Sequence, residues 1–572
     1  MREQRVIMTK IVIIGGVAGG ATAAARLRRL DEDAEIIVLE KGDYVSYANC
    51  GLPYHLGGVI EKRGNLLLQT PEGFFSRYRV EVRLGNEALA IDAAARTVQV
   101  RRLATGEIYE EGYDELILSP GGRPALPPAD EGAAGRIFTL HTLADMDLVA
   151  AYIEEFQPRD VVILGGGFIG IEAAENLIER GLRVTLVQRS GQIFAPFDPE
   201  MAKRVQAELV DNGVELLLDS PLEGISVAGG AAAGAAAGGP GGTPGPNPLR
   251  IEFKNGTSLE ADFVIAAIGV KPDTRLATAA GLALGPSGGI ATDEHMRTSD
   301  AHIYAVGDAV EVQQYVSAAP SLIALAGPAN KQARIAADNI CGIATSYKGT
   351  QGSLVIKVFG LTAAATGINE KTAKALGLTY DKVYFFAGSH AGYYPGAQDM
   401  TIKVLFAPDT GRILGAQLMG GQGVDKRCDV LAVAIRAHMT ARDLAELELC
   451  YAPPFSSAKD PVNVAGYMIE NLIGGKLSQY HWHDVATLPR DGSATILDVR
   501  TPAEYDKGHL EGAVNLPVDQ LRGRLSEVEP GKPVFLICQS GLRSYVAARI
   551  LAQHGFAVSH LCGGWRFYQL VR

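Results

Sequence analysis

The sequence predicts a multidomain α/β protein, and three observations support this fold class. The chain has 572 residues, more than a single hydrophobic core holds, so we expect about three to five domains. Two glycine-rich loops each lie between a short apolar strand and an apolar helix, a pattern typical of parallel α/β units. Near the C-terminus, another apolar strand runs into a cysteine and then a helix, which predicts a further α/β domain.

The first glycine loop has the context of a dinucleotide site. A strand at 10–14, the loop 15–20 and a helix at 21–30 are followed by a strand that ends at Glu40. Glycines let a pyrophosphate approach the helix N-terminus, and an acid about 20 residues on binds ribose hydroxyls. Val17 replaces the middle glycine of the pattern, so the prediction needs strand, helix and acid together. The residues we expect at this site are Gly15, Gly19, Gly20 and Glu40.

The second glycine loop, 165–170, matches the full spacing after a strand at 161–164. The next strand ends at Gln188 and Arg189 instead of an acid. An acid there would select NAD, whereas glutamine does not repel a 2′-phosphate and Arg189 offers it a positive charge. The second nucleotide is therefore NADH or NADPH. The residues expected here are Gly165, Gly167, Gly170, Glu172, Gln188 and Arg189.

The local structure of three further segments is predicted from their sequence. Thr70-Pro71-Glu72 predicts a helix start. Residues 228–248 form a low-complexity stretch of glycine, alanine and proline between two strand-like segments, so we predict a disordered hairpin loop there. A buried strand beginning at His302 presents Asp308 at a glycine turn.

Two features near the first glycine loop concern substrate. Cys50 stands alone in the polar and aromatic stretch 44–54, shortly after the first nucleotide unit. Thr22, Arg26 and Arg29 are spaced at i, i+4 and i+7, on one face of the first helix. That face is either a solvated basic surface or part of the binding site for a phosphate-bearing thiol.

The two glycine loops and the strand ending in Gly-Asp resemble the pyridine nucleotide-disulfide oxidoreductase family over about residues 10–473. The resemblance implies FAD at the first loop with Asp308 on its ribityl chain, NAD(P)H at the second, and a C-terminal domain that forms a homodimer. The implied fold class is two Rossmann-like FAD and NAD(P) domains, an α+β dimerisation domain and a further C-terminal α/β domain. The expected limits are 1–125 with 282–330 for FAD, 126–281 for NAD(P)H and 331–475 for dimerisation.

The last segment closely resembles a rhodanese domain over about residues 479–572, through motifs at 498–505, 508–517 and 538–544. An apolar strand delivers Cys538 to a loop whose amides can converge on an anion before a helix begins near Arg543. The Cys-x4-Arg spacing is one residue shorter than in phosphatase relatives and favours sulfur over phosphate. Cys538 is therefore predicted to carry a persulfide.

Residues 46–54 are similar to the single-cysteine branch of the oxidoreductase family, which contains coenzyme A-disulfide reductases, NADH oxidases and NADH peroxidases. Two-cysteine members place their second cysteine where this chain has His55, so Cys50 is limited to a mixed disulfide, a persulfide or a sulfenic acid. Peroxidase members have a histidine where this chain has Ala18, which weakens a peroxide function. The positions that match substrate-binding residues of coenzyme A-disulfide reductases are Thr22, Arg26, Arg29, Ser46 and Asn49. Lys459 is expected as a further contact to a phosphate of coenzyme A. Tyr451 with Tyr393 or Tyr394 match tyrosines that the partner subunit supplies, and they are the expected proton donors.

Composition excludes some classes. The net charge of −11 and the pI near 5.6 argue against a nucleic-acid partner. No apolar run approaches the ~20 residues of a membrane helix, and we expect a cytoplasmic protein. The six cysteines lack paired spacing, which argues against a disulfide scaffold, and no metal site is predicted.

The predicted function is NAD(P)H-driven, FAD-dependent reduction of persulfides, polysulfide and coenzyme A disulfides or persulfides through Cys50, with the rhodanese domain relaying sulfane sulfur from Cys538. One alternative is an NADH oxidase or a simple coenzyme A-disulfide reductase whose rhodanese domain acts separately. A second alternative is a redox partner protein without enzymatic activity.

Overall fold

The structure, a computed structural model, describes residues 8–228 and 247–572. It divides into two compact units, one of residues up to Ile193 together with Leu209–Thr350, the other of Phe194–Glu208 together with Gln351–Arg572. This division is coarser than the four predicted domains, whose limits stay a prediction. Among the described residues no helix is long and apolar enough to cross a membrane.

The first unit begins with a five-stranded parallel sheet in which every strand except the edge strand Val80–Leu84 is largely buried. In spatial order its strands are Ile303–Ala305, Glu115–Leu118, Lys10–Ile14, Glu35–Glu40 and Val80–Leu84. The helix Ala18–Leu30 follows the first glycine loop and packs against the helix Ala326–Ile340, which crosses the predicted limit at residue 330. Alanines at the buried positions of both helices allow this close approach.

Between these strands lie short helices and a small antiparallel sheet. The helix Pro71–Tyr78 starts where predicted, because the Thr70 hydroxyl accepts a hydrogen bond from the Gly73 amide. Cys50 lies in the short 3₁₀ helix Asn49–Gly51, which runs directly into the helix Leu52–Leu56. The antiparallel strands are Asn86–Asp92, Thr97–Arg102 and Ile108–Gly112.

A second parallel sheet in the same unit carries the second glycine loop. Its strands in spatial order are Glu215–Leu217, Arg183–Val187, Asp160–Leu164, Phe263–Ala266 and Ile137–Phe138. The helices Leu143–Phe156 and Phe168–Glu179 accompany this sheet. Strands Leu222–Val227 and Leu249–Phe253 pair antiparallel, as the hairpin prediction requires. Of the disordered loop predicted for residues 228–248, residues 229–246 lie outside the described residues.

The second unit contains a five-stranded antiparallel sheet. Its strands in spatial order are Leu354–Val358, Leu361–Gly367, Ile413–Gly420, Asp399–Phe406 and Asp381–Gly388. The helices of this part of the unit include Pro199–Asp211, Glu370–Ala375, Val424–Arg436, Ala441–Glu446 and Pro461–Ile473.

A charged cluster lies inside this antiparallel part of the unit. The fully buried Lys403 ammonium lies 2.5 to 2.7 Å from carboxylate oxygens of Asp198, Glu200 and Glu370. Lys403 and Lys382 hold the pKa of Glu370 far below its usual range against the opposite effect of burial. These three carboxylates approach closely enough to hold a metal ion, but the Lys403 ammonium already supplies the positive charge among them.

The C-terminal part of the second unit is a parallel sheet with flanking helices. Its strands in spatial order are Gln479–Tyr480, Val558–Leu561, Val534–Ile537, Thr495–Asp498 and Val514–Asn515. Its α-helices are Pro502–Asp506, Val518–Leu521, Leu542–Gln553 and Gly564–Val571. This part packs on the antiparallel sheet through the stacked rings of Tyr384 and Phe567, whose centroids are 4.3 Å apart.

Candidate active site

The first glycine loop is a tight turn with no room for a side chain at Gly15 or Gly20. Gly15 has a φ of +96°, and a Cβ on it would lie 2.1 Å from the Ser119 carbonyl oxygen. A Cβ on Gly20 would lie 1.8 Å from the Gly15 oxygen. Glu40 holds the loop, because its carboxylate accepts hydrogen bonds of 2.7 Å from the amides of Gly16 and Gly42. The loop, the helix N-terminus behind it and the acid fit a dinucleotide pyrophosphate and ribose.

The second glycine loop repeats this construction with a neutral residue. A Cβ on Gly165 would lie 2.3 Å from the Ala267 oxygen, and one on Gly170 would lie 1.9 Å from the Gly165 oxygen. The place of Glu40 is taken by Gln188, whose Oε1 accepts a 3.2 Å hydrogen bond from the Gly166 amide. Its Nε2 donates to the Ser190 hydroxyl and the Gln192 carbonyl. Arg189 is exposed beside it, so the strand end carries no negative charge that would oppose a 2′-phosphate.

Cys50 lies near two carboxyl groups that come from distant parts of the chain. Its thiol reaches the surface of the described chain, yet partial burial raises its pKa, and the nearby charges of Glu172 and Asp308 act in the same direction. Glu172 is on the helix that follows the second loop, and Asp308 follows the strand Ile303–Ala305 of the first sheet. The structure therefore brings together three predicted site residues from distant parts of the chain.

Tyr54 connects the Cys50 segment to the helix of the second loop. Its hydroxyl donates a 3.3 Å hydrogen bond to Glu172 Oε1. Burial raises the pKa of Glu172 to about 7, although Tyr54 lowers it. At neutral pH this carboxyl is therefore poised between its neutral and charged forms.

The residue at the second-cysteine position is held by its own loop. His55 Nδ1 lies 2.5 Å from the Ile60 carbonyl oxygen.

Two predicted coenzyme A residues precede Cys50. Ser46 has the left-handed φ of +46° and its amide donates to the Gly16 carbonyl, so its segment is tied to the first glycine loop. Asn49 lies within 3.5 Å of the His141 carbonyl oxygen through its side-chain amide.

The basic helix face is partly engaged inside the protein. Arg26 donates to the buried carboxylate of Asp338 at 2.7 Å, and the Thr22 hydroxyl donates to Asn330 Oδ1 at 2.5 Å. Arg29 is exposed. The coenzyme A role of these three residues stays a prediction.

The second unit brings together two of the predicted tyrosines. The hydroxyl oxygens of Tyr393 and Tyr451 are 2.7 Å apart, and both side chains are exposed. The hydrogen bond to Tyr451 raises the pKa of Tyr393. Tyr394 instead packs edge-on against the His390 ring. The arrangement favours Tyr393 over Tyr394 as the partner of Tyr451. Lys459 is exposed in the same unit, and its phosphate contact stays a prediction.

Cys538 lies at the end of the strand Val534–Ile537, where the helix Leu542–Gln553 begins after a tight turn. Its side chain is buried, and the Gly541 amide donates a 3.0 Å hydrogen bond to Sγ. Gly541 has a φ of +108°, a conformation that favours glycine. Arg543 makes a two-pronged ion pair with Glu504, with both distances 2.7 Å. The turn thus places one amide on the Cys538 sulfur while the Arg543 guanidinium is already paired, and the anion-binding role of the loop stays a prediction.

Sequence patterns did not reveal every polar group at these sites. Tyr54 and Glu172 are 118 residues apart, and no local pattern links them. Ser544 Oγ contacts Cys538 Sγ at 3.4 Å and His560 Nδ1 at 3.2 Å, but neither residue was predicted. One available signal was a histidine within the otherwise apolar end of the strand Val558–Leu561.

Comparison with known proteins agrees with this layout. Residues 9–336 match the model of the pyridine nucleotide-disulphide oxidoreductase family, residues 355–461 match the dimerisation domain of that family, and residues 482–570 match the rhodanese-like domain. A coenzyme A disulfide reductase of Staphylococcus aureus is 35% identical over 461 residues, which is 80% of this chain and 99% of the relative.

Two solved structures resemble nearly the whole chain. The reduced CoADR-RHD of Bacillus anthracis has a TM-score of 0.93 and 45% identity, covering 99% of this chain and 98% of its own. A NAD-dependent persulfide reductase from A. fulgidus has a TM-score of 0.87 and 36% identity, covering 98% of this chain and 99% of its own. The two nucleotide loops, the lone cysteine between them and these matches together show that the chain belongs to the pyridine nucleotide-disulphide oxidoreductase family, with that family's dimerisation domain and a C-terminal rhodanese-like domain.

Proposed function

We propose that the protein is an FAD-dependent NAD(P)H oxidoreductase that reduces coenzyme A disulfides, coenzyme A persulfide and polysulfide at Cys50. The observation that carries this proposal is the pairing of two different sulfur sites on one chain, Cys50 among acids and Cys538 among hydrogen-bond donors. The similar proteins named for coenzyme A disulfide and persulfide reduction support the substrate class.

The chain's own residues account for binding. Gly15, Gly19, Gly20 and Glu40 would hold the FAD pyrophosphate and ribose, and Asp308 would meet the ribityl chain. The second loop, with Gln188 and Arg189, would hold NADH or NADPH. When bound, FAD supplies two-electron transfer between the nicotinamide and sulfur. Arg29, Ser46, Asn49 and Lys459, with Thr22 and Arg26, are proposed to bind coenzyme A.

Cys50 performs the sulfur chemistry. Its thiolate attacks one sulfur of the disulfide, the S–S bond breaks, and the other sulfur leaves as a thiolate while Cys50 keeps a mixed disulfide. Two electrons from NAD(P)H then free the second thiol, so that one disulfide, one NAD(P)H and one proton give two thiols. With a persulfide the products are one thiol and hydrogen sulfide.

The leaving thiolate needs a proton, and the Tyr393–Tyr451 pair is the proposed donor. A hydroxyl that accepts a hydrogen bond from a second hydroxyl gives up its own proton more easily. We propose that the protein acts as a homodimer in which the tyrosine pair of one copy serves Cys50 of its partner. The dimerisation domain supports the homodimer.

Substitution at each cysteine tests this proposal. Cys50→Ser should reduce NAD(P)H-dependent turnover of coenzyme A disulfide and coenzyme A persulfide at least about a thousandfold while FAD stays bound, because serine is a far weaker nucleophile. Cys538→Ser should spare coenzyme A disulfide and slow only reduction that starts from a separate sulfane donor. Cys428→Ala, at a buried helical cysteine, is the matched control and should keep full activity.

Steady-state rates of NAD(P)H oxidation with each substrate, and with oxygen, give the measurement. Residual persulfide turnover in Cys50→Ser, or negligible persulfide turnover in the unmodified protein, would contradict the proposal. Oxygen turnover above that with the sulfur substrates would instead favour an NADH oxidase.

A further inference from the structure

The Cys538 site contains a buried chain of polar atoms that leads away from the sulfur. Ser544 Oγ lies 3.4 Å from Cys538 Sγ and 3.2 Å from His560 Nδ1. The same hydroxyl is 2.9 Å from the Gly541 carbonyl oxygen. Ser544 is fully buried and His560 is 2% exposed, so bulk water does not compete for these contacts. The Ser544 side chain thus connects the Cys538 sulfur to the His560 imidazole in the interior.

The environment of His560 determines which ring nitrogen carries hydrogen. Nε2 is buried and has no hydrogen-bond partner among the residues that the structure describes. Nδ1 faces the Ser544 oxygen, and the Gly541 backbone also hydrogen-bonds the ring. Burial lowers the pKa of His560 to about 4, so the ring is neutral at neutral pH and has a single N–H. That hydrogen belongs on Nδ1, where acceptors are present, because a buried donor without an acceptor is costly.

The hydrogen on Nδ1 decides what the serine can do. The Ser544 hydroxyl has one hydrogen and two competing acceptors, the Gly541 carbonyl and Cys538 Sγ. When the imidazole donates to the Ser544 oxygen and the Gly541 backbone, the hydroxyl hydrogen is free to turn towards sulfur. An anionic sulfur is the stronger acceptor and takes it.

We propose that His560 is a positioning residue of the Cys538 site, which orients the Ser544 hydroxyl so that it donates to Sγ whenever that sulfur is anionic. This inference rests on the sulfur relay proposed above. His560 acts only through Ser544, and Gly541 N–H and Ser544 O–H are the two groups that touch the sulfur.

The hydroxyl acts in both halves of a sulfur transfer. In the first, the Cys538 thiolate attacks the outer sulfur of a persulfide donor, the donor S–S bond breaks, and the donor thiolate leaves while Cys538 becomes a persulfide. In the second, an acceptor thiolate attacks that outer sulfur, and Sγ leaves with the electron pair of the broken S–S bond. No external oxidant or reductant takes part. Sγ is anionic at the beginning and at the end, which is when the Ser544 hydrogen bond stabilises it.

Alkylation of Cys538 by iodoacetamide across a pH range tests the proposal in the full-length, FAD-loaded protein. Mass spectrometry of the Cys538 peptide separates its alkylation rate from that of Cys50. Ser544→Ala and His560→Ala should each move the midpoint of the pH profile up by about one unit and slow alkylation at pH 7 about tenfold, as expected for loss of one charge-assisted hydrogen bond. His560→Asn keeps an N–H donor and should recover most of the rate.

The double variant Ser544→Ala/His560→Ala is the decisive comparison. Because His560 acts through Ser544, the double variant should match Ser544→Ala alone. Additive effects, or an unchanged profile in folded His560→Ala, would overturn the proposal. Both tryptophans of the chain, Trp482 and Trp565, lie in the rhodanese-like region, so their fluorescence shows whether it is folded. If His560→Ala loses native fluorescence, His560→Leu fills the space without a donor and replaces it.

The proposed function is measured separately in the same variants. NAD(P)H-dependent reduction of coenzyme A disulfide uses Cys50 and should be unchanged by all of them. Absence of that turnover in the unmodified protein would count against the proposed function and leave the alkylation result standing.

Discussion

The two cysteines that are proposed to carry the sulfur chemistry occupy different environments. The Cys50 thiol reaches the surface of the described chain, yet partial burial raises its pKa, and the charges of Glu172 and Asp308 raise it further. Cys538 is 1% exposed, accepts a hydrogen bond from the Gly541 amide and interacts with the charge of Arg543. The two sites therefore differ in the groups that lie near the sulfur, which are two acids at Cys50 and a backbone amide with a guanidinium at Cys538.

This contrast fits different roles for Cys538 and Cys50 in the proposed reaction. A turn that points a backbone amide at the sulfur suits a persulfide carrier. A site with two nearby carboxylates opposes a resting thiolate, so Cys50 depends on bound groups of opposite charge or on protonation of Glu172 to become reactive. In the proposed relay, sulfane sulfur passes from Cys538 to Cys50, where it is reduced.

The largest effect that sharpens the comparison concerns acid stability of the Cys538 region. The pKa of His560 is about 4 in the folded protein and near 6.5 when unfolded, so between these values the unfolded state binds more protons. Stability is therefore lost as pH falls from about 6.5 to about 4, by about 3 kcal/mol for this group. Urea denaturation followed by tryptophan fluorescence at pH 7 and pH 4.5 should show it.

His560→Asn is the control for that experiment, because it removes the titrating group and keeps a polar side chain. The remaining titratable groups are the same in both proteins, so their contributions cancel when the two losses of stability are compared. An identical loss of stability in the unmodified protein and in His560→Asn would show that His560 is not the responsible group.

The next effect concerns Cys50. Glu172→Gln removes a charge that disfavours the Cys50 thiolate, so iodoacetamide should modify Cys50 about fivefold faster at pH 8, corresponding to about 1 kcal/mol. At pH 6 the Glu172 carboxyl is mostly protonated, since its pKa is about 7, and the two proteins should react alike. The measurement uses FAD-loaded protein whose cysteines have been reduced. Equal acceleration at both pH values would mean that the carboxylate charge is not the cause.

Glu179→Gln, on the same helix, is the matched control for Glu172→Gln. Glu179 is exposed and is not among the groups that shift the pKa of Cys50 or of Glu172, so this variant should leave the alkylation rate close to that of the unmodified protein. A rate increase as large as that of Glu172→Gln would point to a general charge effect of the helix.

The sequence predicted the parts of these sites that depend on local pattern. Both glycine loops, the acid at Glu40 and the strand that delivers Cys538 follow from residue spacing within about 25 residues, because strand, turn and helix N-terminus are built from neighbouring residues. The helix start at Thr70 is confirmed for the same reason. The family and the fold class are confirmed by the comparisons.

Contacts between distant residues were not predictable in this way. Nothing in the sequence chooses between Tyr393 and Tyr394, since the choice depends on which hydroxyl reaches Tyr451, 58 residues later. The sequence predicts that Arg26 binds a substrate phosphate, but its guanidinium is hydrogen-bonded to Asp338, 312 residues away. Packing of elements that are remote in sequence fixes such pairs, and the roles assigned to these residues stay predictions.

The smallest expected effect tests whether the paired guanidinium still serves Cys538. Arg543 lowers the pKa of Glu504 to about 2, so both groups are charged at neutral pH and largely offset each other. Glu504→Gln removes the carboxylate that pairs with Arg543, and a glutamine can keep the capping contact with Thr501. Alkylation of Cys538 at pH 7 should then rise about two- to threefold, and the gain should shrink in about 0.5 M salt, because salt screens partly exposed charges.

Glu527→Gln provides the matched control, because Glu527 pairs with Arg524 in the same region of the chain and at the surface. It should leave the alkylation rate of Cys538 unchanged. Slower alkylation in Glu504→Gln would mean that Glu504 holds Arg543 in a useful position and does not simply neutralise it. The donor-rich character of the Cys538 site would then depend on the ion pair as a whole, and the contrast with Cys50 would lie in geometry more than in net charge.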